Sequence, residues 1–123
     1  MSLALLANVL MACSSGDRDV AAAVYAAAVQ ANVDPALALA VACRESGVQG
    51  SNPMGVRACY AGVRDRPSEA KCIAIGVRSL KHRLRGCGGD ELCAARRYNN
   101  AAGRVAYAAK VLRIVRFVRG KAK

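Results

Sequence analysis

The sequence predicts an all-α fold, organised as a single compact domain over residues 1–123. Apolar residues recur at helical spacing along most of the chain, and no segment keeps the apolar–polar alternation that is typical of a strand. Side chains that cap helices precede most of these apolar segments. The length of 123 residues corresponds to one domain of ordinary size.

The first two helices are predicted from apolar and alanine-rich stretches. Residues 2–12 are apolar and predict an amphipathic helix, which Ser14, Ser15 and Asp17 end. Residues 18–32 are rich in alanine, the best helix former. The apolar face of this second helix consists of Val20, Val24, Ala27, Ala28 and Ala31.

A third helix is predicted over residues 35–46. Asp34 offers a capping side chain, and Pro35 suits the first helical position. This helix is apolar on nearly every side, which is typical of a buried central helix. Residues 47–57 hold three glycines and one proline and therefore predict a loop. A short β-like segment around 50–60 is the alternative for this region.

Two further helices follow the loop. The start of the fourth is marked by Asp65, Pro67, Ser68 and Glu69, with Asp65 expected as a cap and Glu69 in the first turn. Its apolar residues are Ile73, Ile75, Val77, Leu80 and Leu84. Glycines at 86, 88 and 89 end this helix, and Asp90 caps a fifth one.

The last helix is strongly basic. A break is predicted at Asn99, Asn100 and Gly103, and a helix follows over about 104–119 and ends at Gly120. One side of it is apolar, with Val111, Leu112, Val115 and Val118, and the opposite side carries Lys110, Arg113 and Arg116. Together with Arg119, Lys121 and Lys123, the C-terminal segment 104–123 suits contact with an anionic envelope surface.

Composition restricts the class of partner. The chain has 19 Lys and Arg residues against 8 Asp and Glu, a formal net charge of +11, which attracts anionic polymers. Hydrophobic residues make up 54%, too many for a disordered basic tail. Aromatic residues make up 4% with no Trp, so base-stacking platforms are scarce and no specific nucleic acid is expected. We expect a monomer.

The six cysteines predict disulfides. Their number is even and no two form a Cys-x-x-Cys pair, so a zinc site is not expected. His82 is the only histidine, and we expect neither metal nor cofactor. Small domains in oxidising compartments use disulfides to constrain the unfolded chain. Cys87 with Cys93 is the first pair to test, whereas Cys43 has the alternative interpretation of a free core thiol.

Residues 2–12 have a second interpretation, as a short secretion signal. No basic segment precedes them and the apolar run is brief, so a first helix is favoured. Leu10-Met11-Ala12-Cys13 is faintly similar to a lipoprotein cleavage site. The charge and the cysteines together predict a periplasmic, extracellular or virion-associated protein.

Glu45 is the candidate for acid chemistry. It stands at the end of the most apolar helix, and glutamate is almost never buried without a reason. Burial and the negative end of the helix dipole both raise a carboxyl pKa. A carboxyl that keeps its proton near neutral pH can donate it to a leaving oxygen, as in glycoside cleavage. The alternative is a solvent-facing Glu45 that pairs with Arg44.

Several segments, in order along the chain, resemble the soluble lytic transglycosylase family. Arg44-Glu45-Ser46-Gly47, followed by Ser51-Asn52-Pro53, is similar to the family's Glu-Ser motif and proline-containing loop. Residues 73–80 resemble the helix after the family's cleft loop. Residues 94–105 are similar to its Ala-Tyr-Asn-x-Gly segment and the Gly-Arg-Val run that follows. The resemblance covers about residues 18–118 and implies a lysozyme-like domain that binds and cleaves peptidoglycan glycan strands.

The resemblance also implies roles for individual residues. Glu45 matches the catalytic acid/base, and Ser46 matches the serine that helps hold the substrate's N-acetyl group. Tyr98 and Asn99 match a Tyr-Asn pair that lines the cleft, with the tyrosine hydroxyl facing the catalytic carboxyl.

The chain departs from the family in the turn after the Glu-Ser loop. The family usually has Gly-Ala-x-Gly-Leu-Met-Gln there. In this sequence Gly55 and Val56 replace the Gly-Leu step as candidate substrate contacts, and the glutamine is missing.

One acid is enough for a lytic transglycosylase, which closes a 1,6-anhydro ring on the muramic sugar at the MurNAc-GlcNAc bond. A hydrolytic muramidase is the alternative and needs a second carboxylate, for which Asp65 and Glu69 are the candidates. Neither lies at a spacing that predicts a position opposite Glu45. A third interpretation, from another class, is a non-enzymatic cationic module that binds the envelope or nucleic acid.

Overall fold

The computed structural model describes residues 3–13, 16–99 and 103–121. The described residues contain no strand, and the predicted all-α class is confirmed. They form α1 (Leu3–Ala12), α2 (Arg18–Gln30), α3 (Pro35–Ser46), a 3-10 turn (Arg57–Cys59), α4 (Glu69–Gly86), α5 (Glu91–Tyr98) and α6 (Arg104–Lys121). Among these helices, none combines the length and the apolar character needed to cross a bilayer.

Short polar side chains set where the helices begin. The Asp17 carboxylate accepts from the backbone N–H groups of Asp19 and Val20, and the Asp34 carboxylate accepts from Ala36 at 2.8 Å. Asp90 likewise caps α5. These three caps are where the sequence predicts them. Ser14, Ser15 and Asn100, predicted as helix breakers, lie outside the described residues.

The start of α4 differs from the prediction in one respect. Ser68, not Asp65, is its cap, because the Ser68 hydroxyl accepts from the Lys71 N–H at 3.3 Å. Asp65 lies three residues earlier, in a turn where its φ of 55° is in the left-handed region. Glu69 lies in the first turn of α4, as expected, where the positive end of the helix dipole favours a carboxylate.

The centre of the fold is α3. Residues 36–42 are all buried, and α3 contacts α1, α2 and α6, so the prediction of a buried central helix is confirmed. One cluster of buried side chains includes residues of all six helices. The amphipathic α6 contacts α1, α3 and α5 and contributes Val111, Val115 and Val118 to this cluster. Its Lys110, Arg113 and Arg116 are exposed. The catalytic candidate Glu45 therefore stands at the end of a buried central helix.

Three disulfides join the six cysteines: Cys13–Cys43, Cys59–Cys72 and Cys87–Cys93. The prediction of disulfides is confirmed, the Cys87–Cys93 pair included, and Cys43 is not a free core thiol. The Cys13–Cys43 disulfide closes the longest loop of the three, with a sequence separation of 30. In the chain-entropy model it therefore stabilises the fold most, by roughly 3–4 kcal/mol. Because the Cys13 sulfur is bonded to Cys43, it is not available for the thioether of a lipoprotein anchor.

The loop after α3 is not β-like. Between α3 and α4 the chain forms turns and the 3-10 turn Arg57–Cys59, so the alternative of a short β-like segment around 50–60 is wrong. The Cys59–Cys72 disulfide ties this region to α4. Glycines with positive φ at 47, 50, 55 and 62 bend the chain too often for a strand to pair.

Arg119, near the end of α6, joins three helices. Its Nη2 lies 2.7 Å from both the Asp34 and the Glu91 carboxylates. The Glu91 and Asp34 hydrogen bonds raise the pKa of Arg119, so its charge is permanent. This arginine is engaged within the fold, and the exposed basic residues of the described part of α6 are Arg104, Lys110, Arg113 and Arg116.

Candidate active-site cleft

Glu45 lies in the last turn of α3 and faces a cleft. The helix ends at Ser46, and Gly47, with φ of 75°, turns the chain away in the left-handed conformation that glycine favours. The Glu45 carboxyl is half-buried at one side of a cleft of about 660 Å³. Besides Glu45, the cleft is lined by Gly55, Val56, Arg57, Tyr60, Ile75, Ser79, Arg83, Tyr98 and Asn99.

Gly55 lies directly against the Glu45 side chain. Its φ of 66° is in the left-handed region, and a Cβ built on it would lie 2.8 Å from Glu45 Cδ and 3.1 Å from Glu45 Cβ. Real Cβ atoms do not approach a carbon at 2.8 Å, so any larger residue at position 55 would displace the Glu45 carboxyl. The backbone of the loop therefore forms the wall that confines Glu45 on one side.

Side-chain hydrogen bonds hold this loop in place. The Asn52 amide donates to the Val56 carbonyl and accepts from the Val56 N–H, both at 2.9 Å. The Ser46 hydroxyl donates to the Pro53 carbonyl at 2.9 Å, which ties the loop back to the end of α3. The Tyr60 hydroxyl contacts the Gly55 carbonyl at 3.4 Å. Gly55 and Val56 are thus fixed on the cleft wall.

Met54 anchors the loop in the core and brings Tyr98 to the cleft. Its side chain is fully buried, and a Cβ built on Gly76 of α4 would lie 2.8 Å from Met54 Cγ, so the helix approaches closely. The Tyr98 hydroxyl donates to the Met54 carbonyl at 2.5 Å. Tyr98 therefore lines the cleft, but its hydroxyl donates to the loop backbone rather than to the Glu45 carboxyl.

The environment of Glu45 favours its protonated form. Burial raises the pKa of the Glu45 carboxyl above its ordinary value of 4.5, while the Tyr107 hydroxyl and the Arg44 charge act in the opposite direction. The direction agrees with the one expected from the sequence. Burial, followed by the nearby Glu45 charge, also raises the pKa of Tyr98, so its phenol stays neutral at physiological pH.

Tyr107 is a site residue that the sequence analysis missed. It is 8% exposed, on the face of α6 that packs on α3, and burial together with the Glu45 charge raises its pKa. Its hydroxyl has no hydrogen bond of standard geometry among the described residues, so its contact with Glu45 is looser than a full bond. Tyr107 is spaced at i, i+4, i+8 with Val111 and Val115, and this spacing places its ring on the buried face of α6. The burial of Tyr107 could therefore have been predicted from the sequence.

Three predicted site residues do not line the cleft. Ser46 stands beside Glu45, but its hydroxyl contacts the carbonyls of Ala42 and Pro53 and accepts from the Gln49 N–H, so it holds the loop. Asp65 and Glu69 are exposed, and neither lines the cleft. Among the described residues that line it, Glu45 is the only acid.

Arg83, Ser79 and Ile75 form the opposite wall. They follow one another at i, i+4, i+8 spacing on one face of α4, and Arg57 adds a second cation. The cleft therefore combines one half-buried acid with two tyrosines and two arginines. Comparison of the chain with protein-family models, curated proteins and solved structures found no match.

Proposed function

We propose that the protein is a lytic transglycosylase that cleaves the β-1,4 bond between the MurNAc and GlcNAc sugars of peptidoglycan. The observation that carries the proposal is the Glu45 carboxyl, half-buried in a cleft whose described lining contains no second acid. The disulfides agree with action in an oxidising compartment, such as the periplasm, the extracellular medium or the surface of a virion.

The first step is proton donation. Burial raises the pKa of Glu45 and so favours its protonated form, which gives its proton to the glycosidic oxygen as the bond from that oxygen to C1 of the muramic sugar breaks. The leaving sugar departs with a free hydroxyl. The positive charge that develops at C1 is stabilised by the substrate's own N-acetyl group, so no second carboxylate is needed.

The second step returns the proton. The Glu45 carboxylate takes the proton of the muramic C6 hydroxyl, whose oxygen bonds to C1 and closes the 1,6-anhydro ring. Glu45 ends protonated and no water is consumed. During the interval in which Glu45 is ionised, the buried Tyr107 hydroxyl is available to donate to it, since it has no other standard hydrogen bond among the described residues.

Product masses test the reaction type. Wild-type protein incubated with purified peptidoglycan is expected to release fragments whose muramic ends are one water lighter than reducing ends. Mass spectrometry of the fragments distinguishes the two. Reducing ends would instead identify a hydrolytic muramidase, and no release at all would favour a cationic binding module.

A further inference from the structure

A second pocket adjoins the cleft and is lined almost entirely by arginines. It has a volume of about 370 Å³ and lies where α4, α5 and the start of α6 meet. Its lining residues are Arg83, Cys93, Arg96, Arg97 and Arg104. We name it the arginine pocket. Arg83 also lines the cleft, so one side chain borders both spaces.

The charges of the arginine pocket are not neutralised within the described part of the chain. The ion pairs of the described residues are those of Arg119 with Asp34 and Glu91, which lie outside this pocket. Arg97 donates to the Gly86 carbonyl at 3.4 Å, an uncharged partner. Guanidinium groups held together without an acid repel one another and leave an attractive potential for an anion.

The pocket is also built on a rigid base. The Cys87–Cys93 disulfide joins the end of α4 to the first turn of α5, across a sequence separation of 6. Asp90 caps α5 between them, accepting from the Cys93 N–H at 3.0 Å. The backbones that carry Arg83 and Arg96 are therefore fixed relative to each other. Arginine binds carboxylates in a planar, two-bond geometry, so a preformed cluster suits that group.

We propose that the arginine pocket binds a carboxylate of the peptide stem on the glycan strand that occupies the cleft. This inference rests on the proposed function. The sugar backbone of such a strand is uncharged, because the muramic lactyl group is amide-linked to the peptide. Once phosphate polymers are removed, the negative charge of the strand lies on the stem carboxylates. A strand in the cleft carries its stems past Arg83, the residue that the two spaces share.

The test measures binding without turnover. In an E45Q background, labelled soluble strands freed of phosphate are compared with stripped strands. The stripped strands are the same strands after an amidase has removed their stems and the lactyl carboxylates that this frees have been converted to amides. We expect the double substitution R96Q/R104Q to weaken binding of stem-bearing strands about tenfold, and to leave stripped strands unaffected. The control is R18Q/R64Q, which removes the same charge from exposed positions outside both spaces.

Each outcome decides the proposal. Equal weakening on both kinds of strand, equal weakening in the control, or no weakening at all overturns it. Because the assay requires no cleavage, these results differ from failure of the proposed function, which appears as intact strands in the product assay of the wild-type protein.

Discussion

Replacing Glu45 by glutamine is expected to abolish glycan cleavage while leaving strand binding intact. Glutamine has nearly the same shape but cannot deliver or take up the proton on which both steps depend. General acid–base catalysis of this kind contributes about 10²–10⁴-fold, and we expect a loss in that range in the release of soluble fragments from purified peptidoglycan. Sedimentation with insoluble peptidoglycan measures the binding.

Glu69→Gln is the matched control. It removes the same charge from an exposed carboxylate in the first turn of α4, away from the cleft. Glu69→Gln is expected to cleave like the wild type. If Glu45→Gln also retains wild-type cleavage, Glu45 is not the proton donor and the proposed mechanism is wrong.

Loss of activity in Glu45→Gln is not expected to reflect unfolding. The pKa of the Glu45 carboxyl is higher in the folded state than in the unfolded state. Such a carboxyl stabilises the fold at pH values below its unfolded-state pKa, and this stabilisation is lost as the pH rises through its folded-state pKa. Above that pH the ionised Glu45 bears a burial cost that glutamine avoids. Thermal unfolding near neutral pH is therefore expected to show Glu45→Gln at least as stable as the wild type.

Replacing Gly55 by alanine is expected to displace the Glu45 carboxyl and reduce cleavage about 100-fold, since a misplacement of about 1 Å can cost that much. The new methyl would lie 2.8 Å from Glu45 Cδ, and the end of the glutamate side chain is what moves. The left-handed φ of 66° adds a cost of about 1–2 kcal/mol to folding. Initial cleavage rates and thermal unfolding measure the two effects separately.

Gly50→Ala is the control for backbone strain. Gly50 lies in the same loop with φ of 76°, but a Cβ built on it meets no atom within 4 Å. Both variants are expected to lose similar stability, and only Gly55→Ala is expected to lose activity. Equal activity in the two variants would show that the close approach of Gly55 does not position Glu45.

Local signals in the sequence explain why much of the fold was predictable. Asp17, Asp34 and Asp90 act on backbone groups two or three residues away, so their capping role is readable without tertiary information. Because α3 is apolar on nearly every side, its burial could likewise be predicted from its own sequence. The wrong expectations, Asp65 as a cap and a β-like segment around 50–60, fall where glycines and turns leave several conformations close in energy.

The site was less predictable because it depends on which elements meet. Glu45 was singled out by its position on an apolar helix, and the structure places it at the cleft. Tyr107 stands 62 positions further along the chain and reaches Glu45 only because α6 packs on α3. Ser46 looks like a substrate ligand in sequence, but its direction is set by the Pro53 carbonyl of the folded loop. Such contacts are properties of packing rather than of local pattern.

Direct titration of the Glu45 carboxyl is the measurement that tests the proposed chemistry most closely. The ¹³C chemical shift of its δ-carbon is followed as a function of pH, and the signal is assigned by its absence in Glu45→Gln. The midpoint of this titration gives the pKa, and cleavage is measured over the same pH range. We expect a midpoint above the ordinary value of 4.5 and a fall in cleavage as pH rises through it. A midpoint at or below 4.5, or cleavage undiminished once Glu45 is fully ionised, would contradict a role for this residue as the proton donor.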